Sequence, residues 1–329
     1  MRTNLATGND SPGTSGTLAS APGDISATTR FCGVYGHPIK HSASPAMHNT
    51  ALAALNLNWR YLAFDVLPED LAAAIVGAGA MRFIGLNLTV PHKLLATRLV
   101  DELDDSARAW GAVNTICFES ETSPGVWTPL GRIRDDAFPV GAVRAKGYNT
   151  DADAITRSLR EDLGLALAGA KVLVLGAGGA GRTAALKLAA DGVQRLHLVN
   201  RTLSKAAEVA EEIHRRYPKV DVQLGYPSDE IDLMLNATSL GLHPDDPVPF
   251  DTASFQPRQA RTAFDMIYRP AETAWLKLVR AAGCRVANGL GMLLYQGAAA
   301  FEIWTGRDAP VERMRRALEA NIYGRAVDV

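Results

Sequence analysis

The run Lys171-Val172-Leu173-Val174-Leu175-Gly176-Ala177-Gly178-Gly179-Ala180-Gly181 confines this chain to few folds, because an unbroken apolar stretch enters a glycine loop with no spacer. Such a stretch reads as a strand buried on both faces. The Gly-x-Gly-x-x-Gly loop opens a helix expected to reach about Ala190, where Asp191-Gly192 stops it, and a second strand follows at Leu196–Val199. Strand, loop, helix and strand in that order form the βαβ unit of a Rossmann-type, doubly wound dinucleotide-binding fold. Gly176, Gly178 and Gly181 allow a tight turn, approach of backbone to a pyrophosphate, and close packing of helix on strand. Ala177, Gly179 and Ala180 complete the loop as expected cofactor contacts. At the end of the second strand, where an acid would bind the ribose 2′-hydroxyl of NAD, stand Asn200, Arg201 and Thr202, with Lys205 one turn on. An amide, a guanidinium, a hydroxyl and an ammonium suit a 2′-phosphate, so NADP is the expected cofactor.

Before this unit, from Phe31, short apolar strands alternate with helical stretches, which is an α/β pattern. Strands are expected near 31–35, 59–65 and 83–90, with helices from Pro45, Pro68 and Pro91. After it, strands at Ile231–Leu235 and Ala263–Ile267 continue the sheet, and helices close the chain at about 271–282, 292–305 and 310–320. The expected architecture is therefore two α/β domains. One spans 30–150 and is completed by 289–329; the other, of Rossmann type, spans 151–288. Residues 1–29 are Gly, Ser, Thr, Ala and Pro with hardly an aliphatic anchor, a composition that favours a disordered tail. Residues 118–146, rich in Pro, Gly and charge, read as a surface insertion or hairpin.

The chain has 329 residues, is 47% hydrophobic and carries a net charge of −1, so two ordinary soluble cores fit and no polyanion-binding surface is indicated. Nucleic acid is not an expected partner. Cys32, Cys117 and Cys284 are odd in number and set in apolar surroundings, as in buried thiols of a reducing, cytoplasmic compartment. No apolar run approaches the roughly 20 residues of a membrane span, and the histidines show no metal-ligand spacing. No metal is expected. The expected assembly is a monomer or a homodimer.

Several residues stand out chemically in the first domain. Along Phe83–Val90, Ile84, Leu86, Leu88 and Val90 form an apolar face while Asn87 and Thr89 point the other way. Pro91 reads as the first residue of a helix through Leu94, Leu95 and Leu99, which puts Lys93 in a first turn where a cation costs energy. Ser42 and Ser44 precede another helix, with Ser44 as N-cap and Pro45 at the first helical position; two hydroxyls there can hold a carboxylate. Asp151 follows Thr150 as N-cap, with Asp153 completing a capping-box-like pair, so its own first-turn place suits an acid that complements the dipole. Beside a lysine it becomes a charge-balancing partner instead. Gln296 falls on the stripe Met292, Gln296, Ala299, Ala300 and Ile303, an inward face on which its amide needs either a backbone carbonyl or a ligand hydroxyl. Tyr268 follows a strand at the carboxyl end, where open α/β sheets bind ligands, and suits either packing or a site.

Taken in order, these motifs resemble those of the shikimate dehydrogenases: Gly-x-Pro-Ile-x-His-Ser-x-Ser-Pro, Asn-x-Thr-x-Pro-x-Lys, Gly111-Ala112-Val113-Asn114-Thr115, Tyr148-Asn149-Thr150-Asp151, the glycine loop with Asn200-Arg201-Thr202, Asn236-Ala237-Thr238-Ser239-Leu240-Gly241, and Gly289 through Gly297. They run from about Phe31 to Gly306. The resemblance implies an NADP-dependent oxidoreductase that interconverts 3-dehydroshikimate and shikimate on the way to chorismate and the aromatic amino acids. It implies that Lys93 and Asp151 are the catalytic pair and that Ser42 and Ser44 bind the substrate carboxylate. Thr89, Asn114 and Gln296 are implied to bind ring hydroxyls, with Tyr268 near substrate and nicotinamide, and Thr238, Met266 and Gly289 join the cofactor contacts. The chain departs from the pattern at Ala154, where a glycine is frequent, and at Lys205, where an arginine is frequent.

Two rival readings share the same cleft. One is a quinate/shikimate dehydrogenase using NAD, which Asn200-Arg201-Thr202 disfavours. The other is a catalytically silent ligand sensor, which has no use for a proton donor.

Overall fold

The computed structural model describes residues 25–134 and 141–324. Most of the expected tail and the centre of the expected insertion lie outside these residues. Residues 25–29 belong to the described part: Thr29 is buried and its hydroxyl donates to Asn58 Oδ1 at 3.0 Å, so the tail as expected ran too far.

Two sheets organise the chain. The first contains β1 (Arg30–Gly36), β2 (Trp59–Asp65), β3 (Gly85–Leu88), β4 (Glu102–Leu103), β5 (Thr115–Ser123), β6 (Val126–Pro129) and β7 (Val143–Tyr148). Its order is β2-β1-β3-β5-β7-β4, with β6 hairpinned onto β5. β2, β1 and β3 run parallel, whereas β5 is antiparallel to both β3 and β7. The stretch 118–146 holds the expected surface hairpin, β6 on β5, but is more than that. Its ends are the inner strands β5 and β7, in register from Thr115 opposite Tyr148 to Ser120 opposite Val143. Cys117 and Phe118 are fully buried there, and the charged and Pro-Gly residues around them hid the strand period.

The second sheet is all parallel, with β8 (Lys171–Leu175), β9 (Arg195–Val199), β10 (Asp221–Leu224), β11 (Ile231–Asn236), β12 (Ala260–Asp265) and β13 (Arg285–Asn288) in the order β10-β9-β8-β11-β12-β13. This is the doubly wound arrangement expected from the glycine loop. Helix α6 (Gly179–Ala190) follows β8, and α7 (Leu203–Arg216) follows β9. α8 (Ala274–Ala281) is shorter than expected at its start.

The chain crosses from the first sheet to the second once, through α5 (Asp151–Leu163), and returns through α9 (Leu290–Thr305) and α10 (Val311–Tyr323). Leu294, Ala298, Phe301 and Trp304 of α9 and Met314 and Leu318 of α10 join the core under the first sheet, and Trp304 Nε1 donates to the Ile116 carbonyl of β5 at 3.0 Å. The second sheet is covered on its two faces by separate apolar clusters. α5 and α9 pack so closely that a methyl group on Gly291 would collide with Asp162 and Ser158. No helix among the described residues is long and apolar enough to cross a membrane.

Candidate active site

Lys93 and Asp151, 58 residues apart in sequence, meet with Nζ donating to Oδ2 at 2.6 Å. The helix carrying the lysine, α3, is only His92–Leu95, followed by a 3-10 turn at Ala96–Arg98, and Pro91 is its N-cap. Four residues align too little dipole to set the charge environment of Lys93, contrary to the sequence expectation. The carboxylate does that instead. The preceding strand also stops at Leu88, and Val90, expected on its apolar face, is 70% exposed.

A hydrogen-bonded frame behind the pair holds the two groups in place. Val113 N–H donates to the Lys93 carbonyl at 2.9 Å, and Asn114 N–H to the Tyr148 carbonyl at 3.0 Å. Asn114 Nδ2 donates to Asp151 Oδ1 and to Thr150 Oγ1, both at 2.9 Å, while its Oδ1 accepts from Thr150 N–H at 2.8 Å. Asn114 is buried, and its amide, bonded to Asp151 and Thr150, orients the carboxylate. The Thr150 side chain caps nothing; Asn149 Oδ1 accepts from the N–H groups of Asp151 and Ala152, and Asn149 Nδ2 donates to the Ala112 carbonyl at 3.0 Å. Asp153, expected in a capping box, instead pairs with Lys187 at 2.8 Å.

The pair opens into a cleft of about 420 Å³ between the two sheets. Ser42, Ser44, Thr89, Tyr268 and Gln296 all line it, as do Ala180, Met266 and Gly289 from the second sheet's side. Ser44 is the first residue of α1 (Ser44–Ala54) with Ala43 as N-cap, so it is not the cap that its sequence position suggested. Its side chain lines the cleft and hydrogen-bonds the Tyr61 phenol beneath it. Gln296 Nε2 donates to the Leu293 carbonyl at 2.8 Å, the backbone partner of the two considered, and its side chain still reaches the cleft. The innermost face of α9 is Leu294, Ala298 and Phe301, whereas Met292, Ala299 and Ile303 are only partly buried. Tyr268 lies three residues beyond β12, which ends at Asp265 rather than Ile267.

Asn87 is the site residue not assigned from sequence. It lines the cleft, its Oδ1 accepts from Tyr61 Oη at 2.8 Å, and its Nδ2 donates to Thr115 Oγ1 at 3.1 Å. The signal was present, since a buried asparagine opposite the apolar phase of a strand needs partners. His48 stacks on Tyr61 at 4.2 Å, and burial lowers its pKa to about 3, so the imidazole is neutral in the core below the cleft.

On the other side, Gly176 takes φ +106° and a methyl on Gly181 would strike the Gly176 carbonyl, so both glycines serve the close approach of α6 to the end of β8. Gly178 and Gly179 face open space. A diphosphate fits that bare loop at the N-terminus of α6. Asn200 is turned inward: its Oδ1 accepts from Ala177 N–H at 3.0 Å and its Nδ2 donates to the Thr202 carbonyl at 2.8 Å. It braces the loop from the end of β9. Arg201, Thr202 and Lys205 are exposed, and neither cation is in an ion pair among the described residues. That is the donor set a 2′-phosphate requires. Thr238 sits against Gly176 and donates its hydroxyl to Asn236 Oδ1 at 2.7 Å.

Comparison with known proteins agrees with this geometry. Residues 34–116 match the family description "Shikimate dehydrogenase substrate binding domain", residues 158–240 "Shikimate / quinate 5-dehydrogenase", and residues 289–319 "Shikimate 5'-dehydrogenase C-terminal domain". The chain is 40% identical over 301 residues to a shikimate dehydrogenase (NADP(+)) of Methanopyrus kandleri, covering 89% of this chain and 96% of that one. It is 43% identical over 304 residues to a protein of the same name from Moorella thermoacetica, covering 89% and 94%. A crystal structure of a shikimate dehydrogenase in complex with NADP+ superposes with a TM-score of 0.77 at 36% identity, covering 92% of this chain and 99% of that one. With relatives this similar over nearly their whole length, the chain belongs to the shikimate dehydrogenase family.

Proposed function

We propose that the protein is an NADP-dependent shikimate dehydrogenase, reversibly reducing 3-dehydroshikimate to shikimate in the route to chorismate and the aromatic amino acids. The observation that carries this reading is the 2.6 Å contact of Lys93 with Asp151 in a cleft shared with the glycine-loop sheet. The first sheet with α9 and α10 forms the substrate domain, and the sheet from β8 to β13 the cofactor domain. All three cysteines are free and buried, in keeping with a reducing cytoplasm. A monomer or homodimer accounts for the activity, because both halves of the cleft come from one chain.

Bound NADP supplies or accepts the hydride. Reduction of the 3-keto carbon builds negative charge on its oxygen, and the Lys93 ammonium stabilises that charge and delivers the proton from Nζ. Asp151, held by Asn114 and by Asn149 at the helix start, keeps the ammonium aimed and balances its charge. Ser42 and Ser44 hold the carboxylate at the far end of the cleft. Thr89 and Gln296, which both line the cleft, bind the ring hydroxyls, and Asn87 joins them. Arg201 and Lys205 take the 2′-phosphate, and closure of the cleft excludes water.

The rival readings fare worse on the same residues. An NAD-preferring quinate enzyme calls for an acid near the end of β9, where Asn200, Arg201 and Thr202 stand. A silent sensor has no need of an oriented ammonium-carboxylate pair. Initial rates at 340 nm with NADP+ or NAD+, each with shikimate or quinate, test all three. Shikimate with NADP+ is expected to give the highest kcat/KM; equal rates with NAD+, or no turnover at all, sink this reading.

A further inference from the structure

Asp265, the last residue of β12, is fully buried and takes no part in the chemistry above. Each of its oxygens is the target of two donors. Oδ1 accepts from Ile267 N–H at 3.0 Å and Asn236 Nδ2 at 3.1 Å; Oδ2 accepts from Thr273 Oγ1 at 2.7 Å and Trp275 Nε1 at 2.6 Å. Backbone and indole N–H groups and the Asn236 amide nitrogen can only donate, so a proton on the carboxyl finds no acceptor except the Thr273 hydroxyl. Burial raises the Asp265 pKa, and the four donors oppose that shift. The cage is built for the ionised form. No Lys, Arg or His pairs with this carboxylate among the described residues, so its negative charge is balanced by dipoles alone.

The placement of that charge is specific. Asp265 pairs in register with Asn288 on β13, and the residues directly after these two, Met266 and Gly289, both line the cleft together with Tyr268 and Lys93. A ring that exchanges hydride beside Lys93 must occupy that cleft, at the carboxyl ends of β12 and β13. The oxidised nicotinamide is cationic and the reduced ring is neutral. We propose that the Asp265 carboxylate, acting through the cleft wall, favours the oxidised over the reduced cofactor and so sets the balance of their affinities. This inference rests on the dinucleotide reading of the site.

Equilibrium binding separates this field effect from simple support of the loop. Kd for NADPH is read from its fluorescence, and Kd for NADP+ by competition, at one pH and one ionic strength. Asp265→Asn removes the charge but turns an amide N–H toward a donor. The double variant Asp265→Asn/Trp275→Phe removes that conflict, with Trp275→Phe as its charged reference, so the comparison survives if the single variant folds poorly. The ratio Kd(NADP+)/Kd(NADPH) is expected to rise about threefold to tenfold when the charge is lost, and to stay at the wild-type value in Trp275→Phe. Equal weakening of both forms, or an unchanged ratio, overturns the inference and leaves Asp265 a brace. Failure of the wild type to bind either form overturns the dinucleotide reading itself, and this inference with it.

Discussion

The two walls of the cleft are built on opposite plans. On the substrate side, the polar groups of Asn87, Asn114, Thr115, Asn149, Thr150, Lys93 and Asp151 already bond to one another, so little is left to reorganise when charge develops. On the cofactor side, the loop at Gly178 and Gly179 is bare, and Arg201 and Lys205, exposed just after β9 and at the start of α7, form no ion pair among the described residues. A wall that does chemistry is preorganised by internal satisfaction of its polar groups, whereas a wall that captures a long, charged, flexible ligand leaves backbone donors and cations waiting.

The contrast breaks most sharply at Lys93. Lys93→Ala is expected to lower kcat by about 10²–10⁴-fold, with the Kd for shikimate nearly unchanged by calorimetry. A kcat within threefold of wild type removes the lysine from proton transfer. Next in size, Arg201→Ala is expected to raise the KM for NADPH by about tenfold, as loss of one charged hydrogen bond does, with little change in kcat. An unchanged KM for NADPH would move the phosphate site elsewhere. A change in the frame should have the reverse kinetic signature: Asn149→Ala is expected to lower kcat several-fold while the KM values hold, and to cost about 1 kcal/mol in urea denaturation through the lost helix cap. Equal effects on kcat and KM would mean that the cap matters only to folding.

The smallest effect concerns the neutral His48 beneath the cleft. Its folded-state pKa is depressed to about 3, so between that value and the ordinary ~6.5 the unfolded chain binds the extra proton. Stability is therefore full above the unfolded pKa and is lost as pH falls toward the folded one. His48→Phe, which keeps a ring on Tyr61, should flatten the decline from pH 6.5 to 5.5 by about 1 kcal/mol. His92 and His197, also lowered by burial, act in the same direction and remain in the variant. An unaltered slope would show that the ring is solvated.

Much of this architecture is legible along the chain because its signals are local. The glycine loop, the prolines in the first turn of α1 and at the start of the 3-10 turn at Pro68–Asp70, and the Asp191-Gly192 stop each act through near neighbours, and the structure places them within a residue or two of expectation. What escaped was set by partners far away. β5 and β7 were hidden because a strand paired on both sides need not alternate, and the charge of Glu119 is absorbed by Arg144 at 2.7 Å from the neighbouring strand. Thr150 resembled a cap by type and position, yet Asn149 took that duty because its other end could reach Ala112. Asn114 and Asn200 were expected to contact substrate and cofactor; that both amides are also engaged by the protein is decided only by their three-dimensional neighbours.

The return of α9 and α10 to the first sheet has a consequence for synthesis as well as for shape. Trp304, Met314 and Leu318 complete a core begun at Cys32, so the first half of the chain emerges from the ribosome with its hydrophobic underside uncovered. The second sheet, contiguous in sequence, can reach its native form earlier although it is made later. A pulse-proteolysis time course on nascent chains halted before residue 289 is expected to find the nucleotide half resistant and the amino-terminal half still cleavable.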